Sequence, residues 1–157
     1  MDESTRTVDS DGTIIYRNSA GLLHRVDGPA VEDTNGTKCW YINGQLHRVD
    51  GPAIEYADGT KFWYLNGQLH RVDGPAIEWA NGGKEWCING QLHRIDGPAI
   101  EWANGTKFWY FNGQRHRIDG PAVERADGEV EYWYKGKQIS KRTYLSKAFQ
   151  VKMILEG

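Results

Sequence analysis

All five histidines of the chain stand 23 residues apart, at His24, His47, His70, His93 and His116. All five prolines keep the same step, at Pro29, Pro52, Pro75, Pro98 and Pro121. Two residue types on one lattice define a repeat, and a unit this short cannot bury its own apolar face. The chain has to build by stacking like on like. Five units follow: 23–45, 46–68, 69–91, 92–114 and 115–137. A degenerate half-unit precedes them, where DGTIIYRNSAGLLH echoes DGTKFWYLNGQLH with one residue inserted.

Inside a unit the turn signals are dense. Asn66-Gly67, repeated at Asn43-Gly44, Asn89-Gly90 and Asn112-Gly113, is the strongest short hairpin signal, because a type I′ turn needs two residues at positive φ. Lys135-Gly136 is a weaker copy. A second turn sits at Asp58-Gly59 and Asn81-Gly82. Asp-Gly-Pro forms a third break, since proline has no N–H for a ladder. Between these lie short β-rich runs and nothing of helical period. The expected fold is all-β: an elongated antiparallel hairpin solenoid, two to three strands per unit, closed by a C-terminal capping α-helix. The organisation expected is a flexible N-terminus over 1–8, a repeat domain over 9–137 and an amphipathic helix over 138–157.

Strand alternation assigns faces. In KFWYL, Trp63 and Leu65 share one face, Phe62 and Tyr64 the other. The Trp position reads Trp40, Trp63, Trp86, Trp109 and Tyr132, always aromatic, as a buried ladder requires. The Phe position tolerates Glu85 and Glu131, which marks an exposed face and makes Phe62, Tyr64, Phe108 and Tyr110 candidate partner contacts. A further position reads Asp33, Tyr56, Trp79, Trp102 and Arg125, aromatic in the middle and charged at the ends. That pattern fits either capping of a buried stack or an exposed aromatic stripe.

Every unit also repeats His, Arg, Asp and Glu. The expected structural ladder comprises His24, His47, His70, His93 and His116 with Arg48, Arg71, Arg94, Glu55, Glu78, Glu101, Trp40, Trp63, Trp86 and Trp109. An active site appears once, at an irregularity; this set appears five times in regular surroundings. One His per unit does not converge on a metal. The reading is a scaffold in which Arg and His bridge to Glu and Asp of the adjacent hairpin, with no catalytic residue, metal or cofactor.

Composition narrows the partners. The net charge of −2 gives no electrostatic reason to expect nucleic acid or an anionic membrane, although residues 135–157 carry +5 and the rest −7. No stretch approaches the ~20 apolar residues of a membrane helix, and the polar start is not expected to act as a signal peptide. Cys39 and Cys87 lie two units apart, roughly 19 Å at ~4.8 Å per strand, so they are expected as free thiols in a reducing, cytoplasmic setting. In the last residues Tyr144, Leu145, Ala148, Phe149, Met153 and Leu155 fall on one helical arc behind Ser140 as N-cap. That arc is expected to lid the stack; a partner-binding or membrane-surface helix is the alternative.

The unit WYLNGQLHRVDGPAIEWANGGKE resembles the MORN repeat, another 23-residue hairpin, through Trp63, Tyr64, Asn66, Gly67, His70, Asn81 and Gly82. It departs after the His, where Arg-Val-Asp-Gly-Pro-Ala replaces a Gly-x-Gly. The His-Arg-x-Asp-Gly-Pro-Ala form also looks like repeat proteins of bacteriophages and large DNA viruses. The resemblance covers roughly residues 9–137 and implies a contact scaffold for proteins or lipids. The expected function is therefore a non-enzymatic scaffold binding a protein partner, in the viral case an inhibitor or adaptor acting on a host enzyme or defence component. Two alternatives stand beside it. One is an anionic ligand such as a nucleotide held by the repeated His and Arg. The other is a lipid surface met by Lys141, Arg142 and Lys147. Pairing of two rods through sheet edges or ends stays open.

Overall fold

The structure, a computed structural model, describes residues 4–156. Its body is one antiparallel sheet of 13 strands whose spatial order follows the chain order. Each full unit adds two short strands to this sheet, as Ile54–Glu55 and Lys61–Phe62 do. A separate two-stranded hairpin, Tyr64–Leu65 with Gln68–Leu69, stands off beside it. KFWYL is therefore not one strand. It breaks at Trp63, whose N–H leaves its own hairpin and donates to Ala76 O of the next unit at 2.8 Å.

The Asn-Gly turns hold the hairpins together along the stack. Asn43, Asn66, Asn89, Asn112 and Lys135 all lie at φ of 47–51°, a region that Asn tolerates better than most residues. The following Gly67 donates its N–H to Leu46 O of the preceding hairpin at 2.9 Å, and Gly90 repeats this onto Leu69 O.

Sheet register sorts residues into two rows. One is apolar: Cys39 pairs with Ile54, Ile54 with Phe62, Phe62 with Ile77, and Ile100 with Phe108. The other alternates charge, with Lys61 between Glu55 and Glu78 and Lys84 between Glu78 and Glu101. Opposite charges directly across strands support one register and penalise a slip. The tightest part of the core is alanine. Ala30, Ala53, Ala76, Ala99 and Ala122 are all at 0 % exposure, where the chain leaving Gly-Pro accepts the backbone N–H of the preceding unit's Tyr or Trp. Both cysteines are free, and burial pushes the Cys87 thiol up to about 11.

The ends differ from expectation. Residues 1–3, part of the segment expected to be flexible, lie outside the described residues. Thr5–Val8 form the outer strand of the sheet, paired with Ile14–Arg17 and exposed throughout. At the other end the strand Lys137–Ile139 precedes two helices, α1 (Lys141–Tyr144) and α2 (Lys147–Glu156), in place of one. Ser140 caps α1 as expected, accepting the Thr143 N–H at 3.0 Å. Ser146 then accepts the Phe149 N–H and restarts the helix, which breaks the single apolar arc. Tyr144 stacks on Tyr132 at 4.6 Å and Phe149 meets Tyr134 edge-on at 5.1 Å, so the helices rest on the last unit. Leu145, Ala148, Val151 and Leu155 stay exposed; the Met153 side chain lies outside those described.

Candidate functional site

The repeated polar set forms one construction, copied unit by unit. The Arg71 guanidinium lies over the Trp63 ring at 4.1 Å. Its Nε donates to Asp73 at 3.0 Å, and its Nη1 donates to Pro75 O at 3.2 Å and Glu78 at 3.1 Å. Arg25 on Tyr16, Arg48 on Trp40, Arg94 on Trp86 and Arg117 on Trp109 repeat the stack within 3.9–4.0 Å. A planar fork serves this purpose and an ammonium does not, because stacking and two carboxylates are satisfied at once. The Arg hydrogen bond holds the carboxyls of Asp50, Asp73, Asp96 and Asp119 below their ordinary range.

Two expectations about this ladder are corrected. The Arg bridges stay within one unit and do not cross to the adjacent hairpin, because Asp-Gly-Pro folds back over its own guanidinium. The His does cross, yet its partner is not a carboxylate. His70 Nδ1 accepts the Asn89 N–H of the next turn at 3.2 Å, and His47 does the same for Asn66. The same Nδ1 also lies 2.8 Å from Asn89 Oδ1, so the imidazole is held against both polar groups of a turn residue at positive φ. The indoles pair with guanidiniums, so the ladder is Arg on Trp and not ring on ring.

This side leaves little chemistry to spare. Open grooves of about 640 and 650 Å³ run between consecutive units, lined by Arg, Asp, Pro, Trp and His. Each guanidinium there is already neutralised by two carboxylates, so the groove has no surplus positive charge to hold an anion. Among the described residues no group of three or more His, Cys, Asp or Glu is placed to hold a metal ion. Among the described residues no helix is long and apolar enough to cross a membrane.

The other long side is different. Tyr56, Trp79 and Trp102 are 44, 39 and 46 % exposed, so the stripe lies at the surface and is not a buried stack. Their rings lean edge-on onto the apolar row beneath: Tyr56 on Phe62 at 5.7 Å, Trp79 on Phe62 at 5.4 Å, and Trp102 on Phe108 at 4.8 Å. That contact overturns part of the expected contact face. Phe108 is only 5 % exposed, covered by Trp102 with the Arg115 guanidinium 5.4 Å away, while Phe62, Tyr64 and Tyr110 are half-buried.

Three lines of residues went unread in the sequence: the alanines, an exposed aliphatic at the loop apex, and Gly83. Val49, Val72 and Ile95 are 82–85 % exposed, one per unit, each beside an exposed Asp. The lattice already carried their signal, since apolar identity without variation in size marks the alanines and Val/Ile in a polar loop marks the apex. No protein-family model matches the chain, and no curated protein matches it.

Proposed function

We propose that the protein is a non-enzymatic repeat scaffold that binds a protein partner along one face of its stack. The observation that carries this is the surface line of Tyr56, Trp79 and Trp102. The fold tolerates other residues at this position, because the alanines and the Arg–aromatic ladder recur in every unit, including those with Asp33 or Arg125 in the same place. Large aromatics left two-fifths exposed in a row are the residue type that dominates protein interfaces. Charged residues at Asp33 and Arg125 end the line at both sides, which gives the patch the polar rim of an interface.

The resemblance to viral repeat proteins extends this to a small inhibitor or adaptor that occupies a surface of a cytoplasmic enzyme or defence component of a host. Affinity purification from the cells in which the chain is made tests the reading, with a Tyr56→Ser, Trp79→Ser, Trp102→Ser variant as control. The wild-type chain is expected to retain a partner in stoichiometric amount and the variant to lose it while staying folded by circular dichroism. Retention by the variant would overturn the assignment of the face.

A further inference from the structure

The middle unit of the stack departs from its two neighbours at two positions. The position that reads Thr37, Thr60, Thr106 and Glu129 in the other units is Gly83, and the position that reads Cys39, Phe62, Phe108 and Glu131 is Glu85. Gly83 has no backbone need to be glycine, since its φ is not among the positive ones. A Cβ there would stand 3.2 Å from Trp79 Cδ1 and 3.2 Å from Asn81 Oδ1. The lost threonine is also a lost hydrogen bond. Thr60 Oγ1 accepts the Ala80 N–H and Thr106 Oγ1 accepts the Ala126 N–H, so the equivalent Ala103 N–H has no such acceptor. The result is a cleft of about 420 Å³, walled by Trp79 and Trp102, with Gly83 and Glu85 between them and Asn81, Ala103 and Asn104 at the rim.

Glu85 is the odd member of the apolar row, set directly between Ile77 and Ile100. It accepts the Trp79 Nε1–H at 3.1 Å. Among the described residues it forms no ion pair. Glu131 holds the same lattice place two units on and provides the comparison. It too accepts an indole N–H, from Trp133 at 2.8 Å, but it also has a cation, the guanidinium of Arg125. Arg125 occupies the lattice position of Trp79 and Trp102. The last unit therefore supplies, within the chain, the positive charge that the middle unit lacks.

We infer that the Trp79–Glu85–Trp102 cleft receives an arginine side chain of the protein partner. This rests on the protein-binding reading and names the chemistry at its centre. A carboxylate with one indole donor and no cation, flanked by aliphatics and walled by two exposed indoles, is complementary to a planar cation. The rim residues Asn81 and Asn104 are uncharged, and Lys84 lies in the alternating row between Glu78 and Glu101. The fold itself places guanidinium on an aromatic ring five times within 3.9–4.1 Å, so the cleft repeats in trans a contact the chain makes in cis.

The test is a titration of the full chain, indole ¹⁵N-labelled, with acetyl-Gly-Arg-Gly-amide and its neutral citrulline and its lysine counterparts. The Trp79 and Trp102 N–H signals are expected to shift with a Kd of about 1–10 mM, as a single side chain allows. Citrulline, lysine and Glu85→Gln are each expected to weaken binding, roughly tenfold for loss of charge. Gly83→Thr, which restores the neighbours' residue, is expected to abolish it with the melt unchanged in shape. Equal binding of citrulline or of lysine would overturn the inference, as would undiminished binding to Glu85→Gln. A partner that is retained by Glu85→Gln and Gly83→Thr but lost from the aromatic triple variant would also overturn it, while leaving the scaffold reading standing.

Discussion

The two long sides of the stack obey opposite rules. On the ladder side every unit repeats the same Arg, Asp, Glu, His and Ala, and each group meets the same partner at nearly the same distance. On the other side the residues change from unit to unit: Asp33, Tyr56, Trp79, Trp102, Arg125 along one line and Cys39, Phe62, Glu85, Phe108, Glu131 beneath it. Uniformity is what nearest-neighbour stacking demands, because each unit must present the same surface to the next. Variation is affordable only where no unit depends on it. Stability therefore belongs to the constant side, and the partner contact proposed above falls on the variable one.

Substitutions that break this division have an order of size. Ala76→Leu places three extra carbons where exposure is 0 % and is expected to cost about 3 kcal/mol, read from urea unfolding. Arg71→Ala removes the stack on Trp63 and the contacts to Asp73, Pro75 and Glu78, for about 2 kcal/mol. Solvent at Glu78 trims the ionic share. Arg71→Lys is expected to recover less than half of that loss, since an ammonium cannot stack and fork together. Asn66→Ala puts Cβ without a local hydrogen bond at φ 51° and is expected to cost about 1–2 kcal/mol, whereas Asn66→Gly costs less.

The pH response is smaller and also lies on the ladder side. Asp50, Asp73, Asp96 and Asp119 have depressed folded pKa values, first through the hydrogen bond from Arg. Their contribution is present above the ordinary carboxyl value of 3.8 and is lost as pH falls through the lower folded values. Burial, then the charge of Lys135, lowers His116 below its ordinary 6.5. The unfolded chain then takes that proton first, so stability falls as pH drops from 6.5 towards the folded value. The melting temperature is expected to decline slightly below about pH 6.5 and again below about pH 4.

The lattice made the architecture legible in the sequence itself. His, Pro and Asn-Gly spacing indicated a stacked hairpin sheet, and the five positive-φ residues stand where the I′ turns put them. Faces were harder to read. Period-two alternation assumes a continuous strand, and Trp63 ends one strand and turns the chain into another by donating to the next unit. For that reason Phe108 was expected outside and lies inside, and the stripe left open between core and surface lies outside. Partners within the polar set were legible by type but not by address, because the folding back of Asp-Gly-Pro is a backbone event that spacing does not show. The cleft was written in the sequence as two departures from the repeat, Gly83 and Glu85, whose meaning required seeing which residues they separate.

Removal of one whole unit, residues 69–91, tests the division most directly, since Gln68 then joins Leu92 in the same frame. If interchangeable units held by a uniform ladder carry the fold, the shortened chain unfolds in one cooperative transition. Its denaturant slope should drop by roughly a seventh, in proportion to the surface lost. A chain without a cooperative transition, or without β-sheet signal in circular dichroism, would contradict the account.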